Sequence, residues 1–263
     1  MPFRPANPYN ALEQVGVWIT LQEEYDFKLA ASNFLAPHND HGGLKFGSIA
    51  TVYANNKAKE EDKPKAIKLL SPDKENAVWC LYLTKSKIGF FCYDYRKWKF
   101  FKDTILFLTS RIYIAEKSIL EYGVNSVLLG FLDKFFVVGD SVSFNINELF
   151  ESNGKHISTD IIENDSSFAY YSTYFSSDVD NFKNAILRRT INIETHESRE
   201  NKEIFFSIDN AHELIVSKMH KSEEAIFSNE ELQNALNLLK KRHVEFLSST
   251  LTKAALEMIG LKE

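Results

Sequence analysis

At Trp98 the hydrophobic period of the chain changes. Trp98, Phe101, Ile105, Leu108, Ile112 and Ala115 recur three and four residues apart, which places them on one stripe of a helix. A second stripe, Leu232, Leu236, Leu239, His243, Phe246 and Leu247, follows Ser228 and Glu231. Those two residues are spaced as a capping box, each side chain bonding the other's backbone amide at a helix start. Gly260 then suits a left-handed helix end. A helix with one apolar stripe must bury it against another element.

The remaining apolar segments favour strands. Leu12–Leu21, Phe46–Tyr53 and Ala66–Leu70 are rich in Val, Ile and aromatic residues, and Tyr25–Leu35 between the first two reads as helical or irregular. Ala77–Leu83 and Ile88–Tyr93 predict a hairpin, and Tyr122–Val138 returns to β character after the first stripe. Asp94 is the expected N-cap of that first helix. Ser143–Phe150 and Ile157–Glu163 are mixed, whereas Phe168–Ser176, Ala185–Thr195 and Glu203–Val216 predict three longer strands. Strands followed by one long helix, twice over, give the expected fold. It is an α+β chain of two pseudo-repeated lobes, 1–140 and 141–263, each an antiparallel sheet packed by one long amphipathic helix.

The 263 residues include 31 Lys and Arg against 36 Asp and Glu, a net charge of -5, which argues against a generally basic nucleic-acid binder. No apolar run of membrane-spanning length occurs, and the N-terminus lacks the apolar stretch of a secretory signal. The expected location is the cytoplasm, where Cys80 and Cys92 would remain reduced, half-buried thiols, although a hairpin turn near Ser86 would place them opposite each other.

Several groupings carry chemistry. His38, Asp40 and His41 sit within four residues, and imidazole and carboxylate are ordinary ligands of zinc or manganese. A third ligand would come from His156, His196, His212 or Glu213. The same loop, with its Pro, Asn and Gly neighbours, also reads as a plain polar turn. Arg96, Lys97, Lys99 and Lys102 surround Tyr93, Tyr95 and Trp98, a mixture that can hold phosphates and stack bases. The bland alternative is core aromatics beside a solvated basic face. Arg188 and Arg189 are adjacent in a predicted strand and so face opposite sides, one of them suited to a buried pair or a partner. Lys240, Lys241 and Arg242 spread around the terminal helix, and His243 falls on its buried stripe. Asp160, Glu163, Asp165, Asp178 and Asp180 lack calcium-loop spacing and read as a solvated acidic stretch. The GxSxG, GxxxxGK[ST] and GxGxxG patterns are absent.

Asn7-Pro8-Tyr9, Leu12-Glu13-Gln14-Val15, Leu83-Thr84, the Tyr95-x-x-Trp98-x-x-Phe101 run, and Leu239, His243, Phe246 and Thr252 before Ile259-Gly260 together resemble a sporadically distributed, functionally uncharacterised bacterial protein family of similar length. The resemblance implies an α+β fold and no catalytic assignment. Patchy distribution of that kind is typical of mobile islands, antiviral defence clusters included. Family members tend to carry an Arg-Tyr…Asn-Arg pattern after the first long helix, where this chain has Gly123–Gly130 without arginine.

The functional expectation is a non-catalytic protein-binding or regulatory module without cofactor. It would present a sheet face or the terminal helix to a partner, or to a second copy in a homodimer, as an accessory component of a bacterial antiviral defence system. The alternatives are a metal-dependent hydrolase or nuclease centred on His38, Asp40 and His41, and a nucleic-acid sensor using the Arg96–Lys102 face.

Overall fold

The computed structural model describes residues 3–5, 11–36, 44–46, 48–52, 66–73, 76–114, 116–138, 146–151, 169–177, 179, 182, 184–197, 203–216 and 227–261. Its elements are β1 (Phe3–Pro5), β2 (Leu12–Leu21), α1 (Phe27–Phe34), β3 (Ser48–Val52), β4 (Ala66–Asp73), β5 (Asn76–Thr84), β6 (Lys87–Cys92), α2 (Trp98–Thr109), β7 (Tyr113–Ile114), β8 (Lys117–Ser118), β9 (Val124–Val137), β10 (Ala169–Ser176), β11 (Ile186–Glu197), β12 (Ile204–Ile215), α3 (Asn229–Ser248) and α4 (Lys253–Met258).

One antiparallel sheet takes ten of these strands, in the order β10-β11-β12-β9-β2-β6-β5-β4-β3, with β1 pairing β9 beyond the end of β2. The expected pair of α+β lobes, each with its own sheet and helix, is therefore corrected. Both helical stripes do find β surface, but on the same sheet and the same face. The joint is β9, whose fourteen residues pair β2 on one edge and β12 on the other.

Alternation along β9 from Val127 onward explains how it can hold that position. Val127, Leu129, Phe131, Phe135 and Val137 are buried beneath the helices, while Leu128, Leu132, Lys134 and Phe136 are half-exposed on the opposite face. One core joins β2, β5, β6 and β9 to α1, α2 and the first half of α3. A second joins Phe135, Ile191, Ile193, Phe206 and Ile208 to Phe246, Leu251 and Ala255 at the other end of the sheet.

The helices begin where local chemistry sets them, with one exception. Ser228 and Glu231 form the expected capping box: Glu231 N donates to Ser228 Oγ at 3.1 Å and Ser228 N to Glu231 Oε2 at 2.7 Å. Asp26 caps α1, accepting from Lys28 N and Leu29 N at 3.0 Å. The expected cap of α2 is corrected. Asp94 accepts from Arg96 instead, and α2 starts from an extended Lys97 with no side-chain cap bond. The terminal helix also breaks after Ser248; Thr252 caps a short α4, which Gly260 follows at φ 75°. Among the described residues no helix is long and apolar enough to cross a membrane.

Candidate functional site

The register of β10, β11 and β12 lines up Tyr174, Arg189 and His212 across three neighbouring strands, on the face turned toward α3. From α3 and its C-cap, Arg242, Glu245 and Ser249 come three and four residues apart and share one helix face. Between these two rows lies an open cavity of about 660 Å³, with Leu187 and Ser176 also in its wall. Arg242 Nη1 donates to Glu245 Oε2 at 2.9 Å. The Arg189 guanidinium lies 4.9 Å from the centre of the Tyr174 ring and 5.6 Å from that of Phe246. The Ser249 hydroxyl donates to the carbonyl of Glu245 at 2.8 Å.

Behind the cavity wall the helix-facing side of the sheet is polar where apolar residues would be expected. Asn210, His212, His243 and Asp133 are all buried. Asn210 Nδ2 lies 3.1 Å from His212 Nε2 and 3.1 Å from His243 Nδ1. An amide nitrogen carries two protons, so in this orientation it donates one to each ring, and both rings use the bonded nitrogen as acceptor. His212 then carries its proton on Nδ1, which has no hydrogen-bond partner among the described residues. His243 carries its proton on Nε2, 3.9 Å from Asp133 Oδ2. Its ring stacks on Phe131 with centroids 3.6 Å apart, and Lys240 Nζ sits 5.1 Å from the centre of the Phe131 ring.

Burial determines the charge states. It pushes His212 down to about 3, helped by the positive charges of Arg189 and Arg242. It holds His243 well below the ordinary imidazole range, helped by Lys240. It raises Asp133 to about 7 against the opposing pull of Lys240, and it lowers Lys240 itself. With an uncharged imidazole facing a carboxyl that burial drives toward its neutral form, His243 and Asp133 are neighbours and not a salt bridge.

His38, Asp40, His41 and His156 lie outside the described residues, as do Asp160, Glu163, Asp165, Asp178 and Asp180. The described alternatives for a third ligand fall on both faces of the sheet. His196 bonds Ser207 Oγ at 2.8 Å and stacks on Phe205 on the open face of the sheet. Glu213 pairs with Arg188 and accepts from Ser126 Oγ on that same face. His212 belongs to the cavity wall opposite. Among the described residues no group of three or more His, Cys, Asp or Glu side chains is placed to hold a metal ion.

Arg96 is paired with Asp94 at 2.8 Å. Lys97 and Lys99 line a shallow groove of about 470 Å³ with Leu44, Phe100 and Phe107, while Lys102 lies half-buried on α2. Tyr95 and Trp98 are half-buried, their rings 6.0 and 5.8 Å from that of Phe101. Arg188 and Arg189 separate as strand alternation predicts, the first paired with Glu213 and the second facing the cavity. Cys80 pairs Phe91 while Cys92 pairs Trp79. That offset of one residue sends the two thiols to opposite faces, and both are free and buried.

Sequence reasoning did not single out Asn210, Asp133 or the Arg242–Glu245–Ser249 face. Their signals were the i, i+2 spacing of Asn210 and His212 within a strand and the 3–4 spacing on the terminal helix. The chain matches no model of a known protein family, and no curated protein matches it.

Proposed function

We propose that this protein is a non-catalytic binding module of the cytoplasm that recognises an anionic small molecule in the cavity between β10–β12 and α3. One observation carries the reading: the imidazole in the cavity wall is held as a hydrogen-bond donor. A general base needs a free nitrogen and a proton affinity near the working pH. His212 Nε2 is engaged by Asn210, and burial beside two arginines holds the ring far below that range. The Ser249 hydroxyl is tied to its own helix, and Glu245 is engaged by Arg242. The cavity offers cations and donors, which suit recognition better than proton abstraction.

A regulatory role follows if occupancy alters association with a protein partner or a second copy of the chain. The apolar stripe of α3 already lies on the sheet, so the partner surface moves to the opposite sheet face, where Trp18, Tyr82 and Phe91 form a half-exposed aromatic cluster. The family resemblance supplies one setting, an accessory role in a bacterial antiviral defence cluster.

Thermal unfolding in the presence of a panel of anionic metabolites tests the proposal, because a ligand that prefers the folded state raises its apparent stability. A saturable rise in Tm with the compound recovered chemically unchanged is the expected result. Conversion of the compound would make the protein an enzyme, and a panel with no effect would remove the binding reading.

A further inference from the structure

We propose that the cavity is a site for a phosphate monoester of a small hydroxylated compound, an inference that rests on the binding reading above and names its ligand class. Two guanidiniums approach the cavity from two elements, Arg189 from β11 and Arg242 from α3, with the buried His212 ring of β12 behind its wall. The two guanidiniums are close enough that each bears on the charge of the other or of His212. A planar carboxylate has two oxygens and is satisfied by one guanidinium fork. Donors converging from a sheet and a helix match a tetrahedral oxyanion, which presents acceptors in several directions.

The depth ordering agrees. His212 is fully buried, and its Nδ1 lacks a hydrogen-bond partner among the described residues. An oxyanion seated on Arg189, in front of the buried His212, leaves the rest of the molecule directed toward the mouth. There the wall holds Glu245, Ser249 and Tyr174, which suit hydroxyl groups. A cavity of about 660 Å³ exceeds the needs of inorganic phosphate and lies within the range of small-ligand pockets.

Calorimetric titration of the full chain at constant ionic strength, with ribose 5-phosphate, inorganic phosphate, ribose and acetate as probes, tests this. Ribose 5-phosphate should bind at one site, about tenfold tighter than inorganic phosphate, with ribose and acetate silent. Arg189→Gln and Arg242→Gln should each weaken ribose 5-phosphate by about tenfold or more, whereas Arg96→Gln, outside the cavity, should leave it unchanged. Unfolding midpoints of the variants separate lost binding from lost folding.

Acetate binding as tightly as ribose 5-phosphate would overturn the tetrahedral oxyanion in favour of a planar carboxylate. Inorganic phosphate binding equally well would overturn the hydroxylated ester. Retained affinity in both arginine variants would place the site elsewhere. If all four probes are silent while other anions raise Tm, the phosphate inference falls and the binding reading stands; if the whole anion panel is silent, both fall.

Discussion

Gly89 lies under the ring of Trp18, and a Cβ on it would come within 2.6 Å of that ring. The close approach, and no unusual backbone angle, is what requires glycine there. Gly89→Ala is expected to cost about 1–3 kcal/mol by overpacking; a urea midpoint equal to wild type would show that the Trp18 ring moves aside freely. Asn210 is constrained by chemistry where Gly89 is constrained by space. A single amide nitrogen serves two buried imidazoles, so Asn210→Leu leaves two acceptors unpaired, at about 1–3 kcal/mol each. If the Asn210→Leu variant unfolds at the wild-type urea concentration, the hydrogen bonds of this cluster contribute nothing to stability. The helical spacing around His243 was enough to place that residue on a buried face. Its partner was not legible, because the bond joins a strand to a helix 33 residues later.

At the scale of elements, what is local is legible and what depends on register is not. The capping box at Ser228 follows from two residues three apart, and the structure forms both of its bonds. The stripe beginning at Trp98 also follows from spacing. It continues through Ile112, which is buried, although α2 stops at Thr109, so periodicity reports a shared face and not continuous helical hydrogen bonding. The cysteines show the opposite case: a hairpin predicted in the right place still left its pairing undetermined by one residue, and that residue decides which face each thiol occupies. Phe101 tests whether the stripe holds α2 on the sheet. Its ring stacks on Trp79 with centroids 5.5 Å apart and planes at 11°. Phe101→Ala should therefore cost about 3–5 kcal/mol, read as a lower urea midpoint with the slope of the transition unchanged.

For the whole molecule, the two-lobe expectation failed because strand pairing is long-range. β2 and β12 are almost two hundred residues apart in sequence, and among the described strands it is β9 between them that joins the halves into one sheet. The same junction buries Asp133 of β9 beside Lys240 and His243 of α3, with Asn210 and His212 of β12 adjoining. This makes overall stability depend on pH in two opposed ways. Folding raises Asp133 from 3.8 to about 7, so between those values the folded chain keeps a proton that the unfolded chain has lost, and stability declines as pH rises. Folding lowers His212 from 6.5 to about 3 and moves His243 in the same direction. Between about 3 and 6.5 the unfolded chain is the one that holds these protons, so stability climbs with pH. Two imidazoles outweigh one carboxyl, and the contribution of this cluster should rise from about pH 4 to 6.5 and then fall slightly through pH 7. Asp133→Asn removes the declining contribution of this cluster. Relative to wild type, the variant should gain stability steadily as pH is raised from 4 to 8, by about 4 kcal/mol for a carboxyl shifted this far. Urea unfolding of both proteins across that range measures the difference directly. A constant offset between the two curves would mean that Asp133 titrates in the folded protein as it does in the unfolded chain, so that its burial beside Lys240 costs its charge nothing.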